Sequence, residues 1–332
     1  MRVVLGAAAA VFAAVIIAAV ALVVLWQTSP EPEEGQGWSL LADLPDRRGE
    51  LAGAVVGTLF QEAGREEFVV VGGMTGAART SSAVRAYDAQ ADAWRARQGL
   101  PVPRHHTAAA ALDDGSLVVA GGTQGAREWI PQADVWLQDG EGWRQGPDMP
   151  EGRYGHQMVA IDEVLYVVGG AGASARTLIF DGDSWSTGAA LPEPRDHLGA
   201  AVVDDEIWAI GGRDGDVTDR VDIYDPDADT WRAGPSLPAP TSGAAVTAVD
   251  DTPVVIGGED PQVPGGGVVE QAWYFDGSAW QDLPRPPLAV HGAAAGVVDG
   301  RLIIAGGASR HGVWSVLSWT GAVQALDPGA LP

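Results

Sequence analysis

The sequence predicts an all-β chain built from six copies of a four-stranded unit, the pattern of a β-propeller. Three observations predict it. Gly-Gly doublets recur at Gly72-Gly73, Gly121-Gly122, Gly169-Gly170, Gly211-Gly212, Gly257-Gly258 and Gly306-Gly307, spaced 49, 48, 42, 46 and 49 residues apart. A tryptophan follows five of them, at Trp94, Trp143, Trp185, Trp231 and Trp280. Ten residues after each tryptophan stand Arg104, Arg153, Arg195, Thr241 and Val290, and nine residues further on stand Asp113, Asp162, Asp204, Asp250 and Asp299. A repeat of this length decides the architecture before any single residue does.

Within each unit the text reads as four strands. Runs such as LGAAVV and AAVTAV precede the Asp-rich turns. Runs such as FVVVGG and LIIAGG follow them, then RVDIYD or QAWYFD, then the short tryptophan segment. Short apolar runs separated by Gly, Asp and Pro are strand signals. Glycine at the end of the second strand allows a backbone conformation or a close approach that a side chain forbids. The tryptophan offers roughly 150–250 Å² of apolar surface to cover the gap between sheets.

These pieces resemble the kelch repeat. The doublets, the aromatic-Asp pairs Tyr87-Asp88, Phe180-Asp181, Tyr224-Asp225 and Phe275-Asp276, the tryptophans and the LP-x-P-R segments carry the resemblance over residues 37–320. It implies a six-bladed kelch-type propeller. Leu137 departs from the aromatic-Asp pattern, and the sixth unit lacks a downstream tryptophan.

Trp38 lies ten residues before Arg48, the spacing found in the other units. Residues 37–42 are therefore expected to complete the last blade as its fourth strand, with 313–319 as its third and 321–332 as a tail. The rival reading makes 320–326 the outer strand. Closure removes open sheet edges.

Residues 3–26 are uncharged and mostly apolar, long enough for a membrane-spanning helix. The expectation is a signal anchor over 1–26 and a Pro/Glu/Gly tether over 27–36. Arg2 before the span and Glu31, Glu33 and Glu34 after it place the propeller on the extracytoplasmic side of a single-pass cell-membrane protein. The chain has no cysteine, so disulfides and thiol chemistry are excluded. A net charge of −24 argues against nucleic acid as a partner.

Register sorts charge by face. Turns after the first and third strands carry the acids, among them Asp181, Asp183, Asp225, Asp227 and Asp229. The opposite turns carry Arg48, Arg104, His105, His106, Arg153, His156, Arg195, His197 and His291, with Arg79, Arg127, Arg213 and Arg310 in the loops between second and third strands. Arg48, Arg104, His106, Arg153, His156, Arg195 and His197 are the candidate ligand-binding residues, expected to rim the central opening. Guanidinium groups match carboxylates in a bidentate fork. The arginines also have a purely structural reading, bonding neighbouring backbone. Trp129 sits in a long loop on the same face.

Catalytic signals are weak. Asp225, Asp227 and Asp229 open like a calcium loop but lack its glycine and distal glutamate. Gly182-Asp183-Ser184 echoes an esterase turn with no base placed beside it. The histidines belong to four units with no metal-ligand spacing, so neither a metal nor a cofactor is expected. Among kelch enzymes, galactose-oxidase-like chemistry needs a cysteine that is absent here. The resemblance to sialic-acid mutarotases implies an anionic sugar at the mouth, with Glu50 and Asp196 as local acids. No constellation matches the iron-dependent specifier class. The leading expectation is a non-catalytic scaffold that binds a protein, peptide or glycan through the Arg/His face; the alternative is an enzyme acting on an anionic sugar.

Overall fold

The computed structural model describes residues 35–57, 66–125, 129–139, 142–172, 175–264, 267–327 and 329. The expected signal anchor over 1–26 and nearly all of the 27–36 tether lie outside the described residues, as does Arg127. No helix among the described residues is long and apolar enough to cross a membrane. The helical content there is two short 3-10 turns, Gly76–Ala78 and Gly312–Leu317.

The described chain is all-β and kelch propeller-like. It holds six four-stranded antiparallel sheets and two small ribbons. In the first sheet, Ala52–Gly57 is the innermost strand, followed outward by Glu66–Val71, Val84–Asp88 and Ala93–Arg97. The innermost strands of the other sheets are Ala108–Ala111, Tyr154–Ile161, Gly199–Val203, Ala245–Val249 and Ala294–Val298. Each packs against the next, and the sixth packs against the first, so the sheets form a closed ring. The centres of the second strands, such as Val254 and Val255 or Ile303 and Ile304, are fully buried between neighbours.

The sixth sheet is assembled from both ends of the described chain. Its order is Trp38–Leu41, Val323–Leu326, Arg301–Ala305, Ala294–Val298. Trp38 pairs with Leu326 and Leu41 with Val323. Two expectations need correction. Residues 313–319 are not the third strand, since Gly312–Leu317 is a 3-10 turn. Residues 323–326 are not a tail but that third strand, held between two neighbours. The reason is burial: all four residues Val323–Leu326 are inside, and Gln324 satisfies both its donor and acceptor on Leu288.

Two sets of clasps join sheet to sheet. Each blade tryptophan donates its indole N–H to a carbonyl of the preceding sheet's outer edge. Trp94 reaches Ala42 at 2.8 Å, Trp143 reaches Gln98 at 2.9 Å, Trp185 reaches Pro147 at 2.9 Å, and Trp280 reaches Pro235 at 2.8 Å. Trp231 reaches Ala189 at 3.2 Å, and Trp38 reaches Pro284 at 2.9 Å. The doublets form the second set. The N–H of each second glycine donates to the carbonyl of the residue at the arginine landmark of the next sheet: Gly73 to Arg104, Gly122 to Arg153, Gly170 to Arg195, Gly212 to Thr241, Gly258 to Val290 and Gly307 to Arg48. Glycine is required because a Cβ on Gly72 would lie 2.4 Å from the Arg104 carbonyl oxygen, and its φ is +66°. The landmark is thus a backbone position, which is why Thr241 and Val290 can occupy it.

Candidate functional site

The arginine landmarks point inward into protein, not into the opening. Arg48 and Arg153 are fully buried, and Arg104 and Arg195 nearly so. Arg48 donates to Gly72 O and Ala83 O, both at 2.8 Å. Arg153 donates to Gly169 O at 3.0 Å and to Glu151 at 2.5 Å. Arg195 donates to Gly211 O at 2.7 Å and to the buried Asp222 carboxylate at 2.7 Å. Arg104 grips both oxygens of Asp134 at 2.6 Å. Thr241 repeats the pattern with its hydroxyl on Gly257 O at 2.8 Å. Arg48, Arg153, Arg195 and Thr241 satisfy carbonyls of the left-handed glycines and Arg104 an inner carboxylate, so the expected arginine rim is replaced by an internal brace. His156 is also enclosed; burial first, then the nearby Arg153, lowers its pKa to about 3.

The mouth is built two residues further along each landmark. Glu50, His106, Gly155, His197, Gly243 and Gly292 occupy equivalent positions just before the innermost strands, and all six have φ between +52° and +62°. Their backbones form a belt around the axis. His106 N donates to Glu50 O, Gly155 N to His106 O, His197 N to Gly155 O, Gly243 N to His197 O and Gly292 N to Gly243 O. Leu51 N returns to Gly292 O at 3.4 Å. Three members are glycine, for which this conformation is natural. The other three carry side chains in a region non-glycine residues rarely adopt.

Those three side chains converge. One donor atom each from Glu50, His106 and His197 lie within 4.8 Å of one another. His106 Nε2 is 3.2 Å from Glu50 Oε2. His105 holds the other ring nitrogen of His106 at 2.5 Å, and its own Nε2 donates to Gly125 O at 2.9 Å. The Nδ1 of His197 bonds Asp196, and its Nε2 receives an N–H from Arg213 at 3.0 Å. Arg213 also bonds Glu259 Oε1 at 2.7 Å and Asp196 at 3.2 Å. The expectation that histidines from separate units would not meet is overturned, because a ring delivers equivalent positions to one axis.

Electrostatics follow the enclosure. Burial, then the charges of His197, His105 and Arg213, push the His106 pKa well below the ordinary histidine value; burial lowers His105 too. Burial works to raise Asp196, but the hydrogen bond from His197 and the charge of Arg213 hold it below the usual carboxylate range. Burial raises Tyr154. Above the belt lies a cavity of about 360 Å³, where Trp129, Met74 and Trp319 supply apolar walls beside the charged cluster. Trp129 is 37% exposed, and its ring lies 4.6 Å from that of His106. The channel on the far side of the belt, about 330 Å³, is lined without a charged side chain by residues such as Ala54, Ala109 and Val246.

Glu259 is the main site residue that sequence reasoning missed. Arg213 and Glu259 immediately follow their doublets, a register at which the other units carry Met74, Thr123, Ala171 and Ala308. Two opposite charges at one register were the available signal. The acidic hairpins, by contrast, use their carboxylates locally. Asp181 and Asp276 cap their own turns, Asp225 accepts from Ala228 N at 3.0 Å, and Asp229 accepts from Tyr224 and from Ala189 N of the neighbouring sheet. The Asp225–Asp229 run is a hairpin and sheet-to-sheet bond, not a calcium loop.

A family model described as the KLHDC2/KLHL20/DRC7 Kelch-repeats domain matches residues 143–307. No curated protein matches the sequence. Among solved structures, the chain is similar to that of YjhT, with a TM-score of 0.69 and 18% identity over 84% of this chain and 95% of that one. The repeat register, the clasped ring of sheets and both likenesses agree: residues 143–307 match a kelch-repeat domain, and the described chain has a kelch propeller-like fold.

Proposed function

We propose that this chain is a six-bladed binding propeller whose ligand seats at the mouth above the belt. The observation that carries the proposal is one cavity joining an aromatic platform, Trp129, to convergent polar groups on Glu50, His106, His197, Arg213 and Glu259. Apolar walls with a few fixed polar groups are the usual make-up of a ligand site. Ile130, 59% exposed beside Trp129, extends the apolar surface outward and suits a protein, peptide or glycan partner. The candidate residues shift accordingly: His106 and His197 stay in the site, and Arg213 takes the anion-pairing role first given to the four landmark arginines.

A binding screen of glycans, peptides and anionic metabolites tests the proposal. Saturable binding that falls in Trp129→Ala and Arg213→Ala, with unchanged melting, supports it. A ligand insensitive to both substitutions overturns it.

A second reading, an enzyme acting on an anionic sugar, is favoured by the two His–carboxylate pairs, Glu50 with His106 and Asp196 with His197. General acid–base work on a sugar needs such groups facing one substrate. Turnover abolished by His197→Asn while the fold survives separates it from simple binding.

The membrane placement is part of the same proposal. Residues 3–26 anchor the chain, and the propeller lies on the extracytoplasmic side. Protease shaving of intact cells tests this; a propeller protected until lysis overturns it.

A further inference from the structure

The hydrogen-bond partners around the mouth fix where the imidazole protons sit. A neutral imidazole carries one N–H and one lone pair. His105 Nε2 lies 2.9 Å from the Gly125 carbonyl, which can only accept, so that nitrogen holds the proton and His105 Nδ1 is an acceptor. His106 Nδ1, 2.5 Å away, therefore donates to it. This leaves His106 Nε2 as a lone pair, 3.2 Å from a carboxylate oxygen of Glu50. His291 repeats the arrangement. Its Nε2 donates to Arg310 O at 2.9 Å, so its Nδ1 is a lone pair, 3.6 Å from Glu50 and 3.7 Å from Glu259. His197 donates through Nδ1 to Asp196, and its Nε2 is again a lone pair.

Acceptors thus face acceptors. Three imidazole lone pairs and the carboxylates of Glu50 and Glu259 converge, and among the described residues Arg213 is the one guanidinium that bonds into the group. With neutral histidines, Glu50, Asp196 and Glu259 against Arg213 leave a formal excess of two negative charges. Such an arrangement needs positive charge between the lone pairs.

We propose that Glu50, His106 and His197 bind a divalent transition-metal cation of the zinc type. Two imidazoles and one carboxylate match three-ligand zinc sites that keep a fourth position open for water or a ligand. Imidazole nitrogen selects such ions over calcium or magnesium, which prefer oxygen. The donor atoms, within 4.8 Å of one another, need to close by about 1 Å to give bonds of roughly 2.0–2.2 Å. Both histidines already have their outer nitrogens fixed, by His105 and by Asp196, as metal-bound imidazoles usually do. The left-handed backbone at all three positions aims the side chains at one point. On binding, the cation takes the place of the Arg213 N–H on His197, and Arg213 keeps Glu259 and Asp196. The site does not depend on which organic ligand occupies the cavity.

The test uses the full chain without a polyhistidine tag, stripped with chelator and titrated with Zn²⁺ alone by calorimetry and with Co²⁺ by visible absorption. The expected result is one ion per chain and a Co²⁺ spectrum of four- or five-coordinate intensity. His106→Asn and His197→Asn, residues that tolerate left-handed backbone, are expected to abolish the spectrum. Asp196→Asn is expected to weaken Zn²⁺ by about 10- to 100-fold, and His311→Ala, at the residue just before the Gly312–Leu317 turn and outside the three-ligand group, to leave it unchanged. Absence of stoichiometric binding to the folded wild-type chain overturns the proposal. Binding that persists in the folded His106→Asn/His197→Asn double variant overturns it equally. If that double variant does not fold, His197→Gly, which places the residue of three sister sheets at this position, decides the question by the same two readouts.

Discussion

Arg195 and His197 are two residues apart and have opposite fates. Arg195 turns into the protein and braces carbonyls of its own sheet, with the buried Asp222 as its ion partner. His197 turns to the axis, in a strained backbone conformation, and meets side chains from other sheets. Arg48 with Glu50 and Arg104 with His106 repeat the contrast. One short segment per sheet therefore carries both a structural post and a functional post. The repeat preserves the backbone of both but varies the side chain of the second freely: glycine at Gly155, Gly243 and Gly292, and Glu or His elsewhere.

The contrast is sharpest in stability. Arg195→Ala leaves the buried Asp222 carboxylate to Arg220 and strips the buried carbonyls of Gly211 and Ala209 of their side-chain donor, and is expected to cost about 2–4 kcal/mol, since each buried acceptor that loses its partner costs about 1–3 kcal/mol. Chemical denaturation reads this directly, and a loss under about 1 kcal/mol would erase the distinction between brace and mouth. An intermediate effect is expected at the glycine members of the belt. Gly155→Ala forces a side chain into left-handed backbone and within 3.0 Å of the His197 ring, for about 1–3 kcal/mol. Gly243→Ala meets only ordinary van der Waals contacts, with Gly292 N at 3.7 Å and His291 Cβ at 3.9 Å, and bears the conformational part alone, about 1 kcal/mol.

pH offers a third way to separate the two posts. His156 stays unprotonated in the fold, with a pKa lowered from 6.5 to about 3, chiefly by burial. Its folded pKa is depressed, so the unfolded chain takes up this proton first. The associated stability is complete above pH 6.5 and declines as pH falls toward 3, at up to ~1.4 kcal/mol per pH unit. Melting of wild type and His156→Gln between pH 7 and 4 checks this: the variant should lose the one-proton part of the slope. The smallest effect is expected at the mouth itself. His197→Gly relieves left-handed strain of ~1–2 kcal/mol while losing its contacts, so net stability should stay within about 1 kcal/mol of wild type even as ligand or metal binding disappears.

Much of the fold was legible because each repeat advertises backbone needs. The first glycine of each doublet is dictated by a carbonyl 2.4–2.9 Å from where a Cβ would sit, and the tryptophans by an indole bond to the preceding sheet. The last sheet was less legible. Val323–Leu326 lacks the aromatic-Asp ending, while 313–319 has apolar residues that suggested a strand and forms a 3-10 turn instead. The site was legible only in part. His106 and His197 were visible as candidates, but the arginines looked equally good, because sequence register does not say whether a side chain turns toward carbonyls or toward solvent. Glu259 carried a signal that only comparison across all six doublets brings out.

By itself, the sequence determined the repeat, the strand order within a unit and the sorting of acids to one edge, since these depend on local turn chemistry and on glycine and tryptophan positions. The tertiary structure alone decided that Glu50, His106 and His197 share one point. Their neighbourhood is created by ring closure, which brings equivalent positions of distant sheets to a common axis, and by a left-handed backbone that turns each side chain toward it.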